Sequence, residues 1–199
     1  MTLSRQYKKL LKLARGKGGL VFGYGDLNAE IMLVGEAPGR EEVLAAEPFV
    51  GKAGKNLNEF LAVTGLERDK LYLTNVVKFR PTRMSEKGTL SNRPPTGEEI
   101  ALCQPCLEAE IDAVHPKLIL TLGNVALQAL LGKNAKIGDY HGKAAKDERG
   151  RTIFALYHPA SIIYNPKLKE TYAKDIDALC AYLTRSDKSA SIEELEREG

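Results

Sequence analysis

The sequence predicts an α/β fold of three layers, with helices on both faces of a central, mostly parallel four-stranded sheet. Three observations lead there. Four short apolar runs read as strands buried on both sides: "AEIMLVG" (29–35), "KLYLTNVVKF" (70–79), "PKLILTLG" (116–123) and "RTIFALYHPAS" (151–161). Helical patterns separate them. Polar and glycine-rich residues gather where the runs end, as "GEAPG", "TNVVKFRP", "LGN" and "YHPAS". In open parallel sheets, ligands sit beyond those ends.

The chain opens on Leu3, Tyr7, Leu10, Leu11 and Ala14 at helical spacing, beside Arg5, Lys8, Lys9, Lys12, Arg15 and Lys17. No acidic residue precedes Asp26. This is an amphipathic helix that caps the domain, and its charge suits a phosphate-facing patch. A basic transit peptide shows the same pattern. After the first strand comes a long, bent, acidic loop, "GEAPGREEVLAAEPFVGKAG" (35–54). Helix follows over 54–66, with Leu57, Phe60, Leu61 and Thr64 on one side. The second strand runs into "RPTRMSEKGTLSNRPPT", rich in proline and basic residues. Thr96-x-x-Glu99 then forms a capping box. The helix it starts carries Ile100, Cys103, Leu107, Ile111 and Val114 at spacings of three and four. A short helix at 124–132, a polar stretch to about Gly150, the fourth strand and a helix over 166–185 complete one domain, residues 1–185. Residues 186–199 are acidic and poor in apolar side chains, so a disordered tail is expected.

Net charge is +3, too weak alone to argue for nucleic acid. No apolar run approaches the roughly 18 residues of a membrane span, and no secretory leader is visible. Three cysteines, an odd number, exclude a simple disulfide framework and predict an intracellular compartment. Cys103 falls on the apolar face of its helix, where a free thiol packs as a small core residue. Cys180 reads the same way.

Four segments together resemble the uracil-DNA glycosylase superfamily, closest to its family 4: "GEAPGREEVLAAEPFVGKAG", "LTNVVKFRP", "NRPPTGEEIALCQPCL" and "YHPASIIYNPKL". The likeness extends from about Val21 to about Leu183. It implies excision of uracil from single- or double-stranded DNA by a monomer, with no membrane role. Family 4 members typically hold a four-iron, four-sulfur cluster on four cysteines. Here "LLKLARGKGG" has no cysteine where a pair is usual, and Phe79 stands where another would. Only Cys103 matches, so no cluster and no metal are expected. A glycine is usual at Ala46, an Asp at Val43 and an Arg at Tyr164, and "TRMSEKGTLS" is an apparent insertion.

The resemblance also assigns roles. Asn75 reads the base: its carboxamide offers a donor and an acceptor side by side, matching uracil O4 and N3–H and not the reversed pattern of cytosine. Phe49 stacks on the everted base, although an aromatic after proline is on its own more often core. His158 donates a hydrogen bond to uracil O2, in either protonation state. Glu42 orients water or faces the sugar cation. Glu36 lines the base pocket with Ala37 and Gly39. At those last two places the first family carries an Asp and a thymine-excluding aromatic, so neither group acts from there. Lys52, Lys55, Lys78, Arg80 and Arg93 contact DNA, with Ser161 and Ile162 in a minor-groove wedge. His141, near a pair that touches DNA in relatives, joins them. Another deaminated base such as hypoxanthine, or a catalytically inactive DNA-binding relative, are the alternatives.

Overall fold

A computed structural model describes residues 2–197 apart from 87, 160, 162–164 and 166, with side chains as far as Arg185. The four expected strands are present as β2 (Ile31–Gly35), β3 (Leu71–Asn75), β6 (Leu118–Leu122) and β8 (Thr152–Leu156). They pair in parallel in the order β3-β2-β6-β8. Two short strands that the sequence pattern does not reveal, β1 (Tyr24–Gly25) and β7 (Ala144–Lys146), add antiparallel edges, so the sheet has six strands. A separate hairpin joins β4 (Thr82–Met84) to β5 (Leu90–Asn92).

The helices are α1 (Leu3–Leu13), α2 (Arg40–Ala45), α3 (Lys52–Thr64), α4 (Gly97–Val114), α5 (Asn124–Leu131), α6 (Ile137–Tyr140) and α7 (Leu168–Arg197). Strand alternation sorts the core into two layers. Met32, Val34, Tyr72, Ile119 and Ile153 face α1, α4 and α5, meeting Leu10, Cys103, Leu107 and Ala126. Leu33, Leu73, Leu120 and Phe154 face α3 and α7, meeting Leu57, Phe60, Ile176 and Leu179. The three layers follow from sequence, because each strand is apolar on both sides.

Three boundaries differ from expectation. β3 stops at Asn75, short of Phe79, because β2 ends opposite it at Gly35. The main chain then turns: the amides of Val76 and Val77 donate to the carbonyls of Gly35 and Glu36, and Phe79 forms an isolated bridge with Leu20. The polar stretch before Gly150 contains α6 and β7. The backbone of α7 continues to Arg197, past 185, through a segment of helix-favouring Ala190, Glu193, Glu194 and Leu195. No helix among the described residues is long and apolar enough to cross a membrane.

From β2 the chain steps outward to β3, then crosses back to β6 and on to β8. The direction of winding reverses between β2 and β6, which leaves a crevice at the C-terminal ends of the strands.

Candidate active site

A cavity of about 560 Å³ opens beyond the ends of β2, β3 and β8. Its wall includes Glu36, Ala37, Gly39 and Glu42 from the acidic loop, then Phe49, Lys52, Asn75, His158 and Ser161. Residues that lie far apart in the chain, and that sequence analysis expects around one base, therefore share one space.

Backbone register builds its floor. Gly35 lies opposite Asn75 across the β2–β3 pair. A Cβ at Gly35 would collide with Asn75 Oδ1 and lie 2.7 Å from Phe49 Cζ. Only glycine lets the amide and the ring come this close. Phe49 is 5% exposed and sits at φ +57°, a left-handed conformation that costs about 1–2 kcal/mol for a side-chain-bearing residue. Its surroundings hold it there. Arg68 Nη2 donates to the carbonyls of Phe49 (3.0 Å) and Pro48 (3.2 Å). Gly54, in the first turn of α3, packs so close to the Phe49 carbonyl that any Cβ would overlap it. Ala46, where the family usually has glycine, also sits at φ +54°, because it ends α2 in the left-handed region.

The acidic residues divide in character. Glu42 is buried, and its two oxygens accept the amides of Gly39 (3.0 Å) and Gly51 (2.8 Å). It thereby ties the start of the loop to its end. Glu36 is half-buried, and burial raises its carboxyl pKa. His158 follows β8 and packs its Cβ side against Gly123. Burial lowers its imidazole pKa from the ordinary value near 6.5, which favours the neutral ring at pH 7. The carbonyl of His158 accepts the Ser161 amide at 2.7 Å, which turns the chain back over the cavity.

Residues 22–180 match the family described as the uracil DNA glycosylase superfamily. The chain belongs to the uracil DNA glycosylase superfamily. A type-4 uracil-DNA glycosylase from Archaeoglobus fulgidus is 42% identical over 178 residues, covering 84% of this chain and 85% of the relative. One from Sulfurisphaera tokodaii is 39% identical, covering 84% and 76%. A type-5 uracil-DNA glycosylase from Pyrobaculum aerophilum is 31% identical, covering 71% and 66%.

Within this uracil DNA glycosylase superfamily chain, several residues expected at the DNA surface do other work. Lys78 is fully buried, with Nζ 2.6 Å from each of Glu110 Oε2, Thr74 Oγ1 and the Asn75 carbonyl. It touches no solvent and so cannot reach a phosphate. The strand reading missed this because β3 ends at Asn75, and the turn sends Lys78 inward. Arg93 reaches the cavity wall, but its guanidinium forms a two-pronged pair with Glu99 at 2.7 and 2.8 Å. That pairing, with the Thr96 amide, holds the Glu99 carboxyl down at about 2. Arg80 Nε donates to Asn92 Oδ1 at 2.6 Å. Lys52 does line the cavity, whereas Lys55 is exposed outside it. His141 pairs through Nδ1 with Asp175 at 2.8 Å, fastening the segment before β7 to α7. Ile162 lies outside the described residues.

The donor set does not fit a four-iron cluster. The chain has three cysteines, and cluster ligation takes about four thiolates. Cys103 and Cys106 are buried in α4, and burial pushes the Cys106 thiol up to about 12. Leu10 of α1, Ala14 just past its end and Phe79 fill the same apolar cluster as Cys103, with Lys17 Nζ 5.6 Å from the Phe79 ring centre. Among the described residues, no group of three or more His, Cys, Asp or Glu is placed to hold a metal ion.

Sequence reading overlooked Arg68, Asn56 and Asn92. Asn56 and Asn92 line the cavity from α3 and β5. Arg68 supports Phe49 across nineteen positions of sequence, a link that no local spacing signals.

Proposed function

We propose that this protein is a DNA-repair glycosylase that hydrolyses the N-glycosidic bond of deoxyuridine in DNA, releasing uracil and leaving an abasic site. The observation that carries this reading is the meeting of Phe49, Asn75 and His158 around one cavity. DNA is the partner, and the proposed substrate is single- or double-stranded DNA containing uracil.

The base must first leave the stack, at a cost of a few kcal/mol. Stacking on Phe49 returns about 1–3 kcal/mol of it. The Asn75 amide pairs with uracil O4 and N3–H. As the bond from C1′ to N1 breaks, negative charge gathers on uracil O2 and positive charge on the sugar. His158, neutral because it is buried, donates its N–H to O2 and keeps its proton. Glu42 is the carboxylate fixed in place by two amides, and each oxygen retains a further lone pair. It holds the attacking water, whose oxygen bonds to C1′ as its proton is lost to solvent, and offsets the sugar's charge, while uracil leaves with the C1′–N1 electron pair and takes up a proton from solvent. Glu36, Ala37 and Gly39 shape the base pocket. No step needs a metal or an iron–sulfur cluster, and the protein is proposed to act as a monomer inside the cell.

The decisive assay offers purified protein oligonucleotides bearing uracil, hypoxanthine or thymine, with chelator present, and scores abasic sites. Uracil release with thymine spared is expected. Binding without release, or release of hypoxanthine alone, would sink the reading. Gly35→Ala tests the floor. The added methyl displaces the Asn75 amide and the Phe49 ring, so excision should fall about 100-fold, the usual effect of misplacing reacting groups by 1 Å. Affinity for uracil-free duplex, followed by fluorescence anisotropy, should hold.

A further inference from the structure

The apparent insertion "TRMSEKGTLS" forms most of the β4–β5 hairpin, which the excision mechanism leaves unused. Its register pairs Thr82 with Asn92, Arg83 with Ser91 and Met84 with Leu90. Paired residues share a face, and faces alternate along each strand. Asn92, Thr82, Leu90 and Met84 therefore occupy one face, and Arg83 and Ser91 the other. Asn92 lines the cavity. Leu90 and Met84 extend that same face about 7 Å further out, one strand repeat beyond Asn92. Both are apolar and open to solvent, at 53% and 65% exposure.

The root of the hairpin is rigid. Arg93 Nε donates to the Thr82 carbonyl at 3.1 Å, and the Arg93 amide to the Pro81 carbonyl at 3.2 Å. Its guanidinium is locked to Glu99 at the start of α4. Arg80, two residues before β4, fastens Asn92. Two apolar side chains are thus held out on a braced ribbon, on the face that continues the cavity wall.

We propose that this hairpin is a second DNA-engaging element, which sets Met84 and Leu90 against the bases unstacked beside the everted nucleotide. The occupant is duplex DNA, since the face is continuous with the cavity that receives the base; the inference rests on the uracil-excision reading. Apolar side chains of this kind, Met and Leu among them, enter and kink base steps in other DNA-binding proteins. Eversion from a duplex leaves a gap in the stack. A single strand has no opposing stack to fill, so the pair matters most in duplex.

The experiment compares uracil release from duplex and from single-stranded oligonucleotides of the same sequence. In the Met84→Ser/Leu90→Ser double variant, the duplex-to-single-strand rate ratio should fall roughly tenfold or more, since the apolar pair offsets part of what unstacking a base step costs. Met84→Leu should keep the ratio, since it keeps the apolar bulk. Both positions are exposed, so the fold should be undisturbed, which the thermal midpoint checks. An unchanged ratio overturns the proposal, and so does an equal loss on both substrates. Uracil release by the unsubstituted protein tests the underlying reading separately.

Discussion

Glu110→Ala is expected to lower the unfolding free energy by about 3–5 kcal/mol, the cost of leaving a buried charge unpaired. Lys78 and Glu110 are both fully buried, 2.6 Å apart. Glu110 also gathers the Tyr7 hydroxyl at 2.8 Å, the Gly23 amide at 3.0 Å and the Thr74 hydroxyl at 2.7 Å. One carboxylate thus ties α1, β3 and the segment before β1 to α4. Burial, together with this charge, pushes the Tyr7 phenol far above its ordinary range. Urea unfolding measures the loss. Lys78→Met/Glu110→Leu removes both charges and should recover much of the stability, because apolar replacements of a buried pair are often neutral or better. Excision should not recover with it. Lys78 Nζ also holds the carbonyl of Asn75, the residue assigned to read the base. A double variant that is stable but slow separates the two roles. A double variant as unstable as Glu110→Ala would show that the pair is not the source of the cost.

His158→Ala should reduce kcat by about 10²–10³, the effect of removing one donor aimed at developing negative charge. KM should change far less, because that charge exists only as the bond breaks. The pH profile sharpens the test. Burial lowers the His158 pKa, so the neutral ring is the form present at pH 7 and protonation sets in only below the ordinary value near 6.5. Protonation would set a second positive charge beside the sugar cation, so activity should hold through neutrality and fall as pH drops through that lowered value. Glu36 is displaced the opposite way, upward, and also titrates on the acid side. His158→Ala separates the two, since only the limb owed to the imidazole should vanish. An unaltered acid limb would remove His158 from the reaction.

Much of this arrangement was legible in the sequence, for a physical reason. Strands such as "LILTL" are apolar on both sides, so they announce a covered parallel sheet, and the rim where ligands bind follows from it. Glu36, Phe49, Asn75 and His158 were singled out by the family resemblance and not by spacing; all four stand at strand ends or in the loop after β2. Cationic side chains were far less legible. Lys78 and Arg93 look like phosphate ligands in a basic segment, yet their partners, Glu110 and Glu99, lie on α4 and are found only once that helix docks. The edge strands β1 and β7 have two and three residues, too few to show a period. Arg68 is invisible for the same reason as Lys78: its partner is a backbone carbonyl brought near by folding.

Glu42 has a consequence for how a base is admitted. By taking the amides of both Gly39 and Gly51, one buried carboxylate closes the acidic loop into a ring before any ligand arrives. A loop tied in this way is ordered during folding and not at each encounter. Choice among nucleobases is then left to the Asn75 amide at the floor, and association should carry little of the heat-capacity change that accompanies a segment folding around its guest.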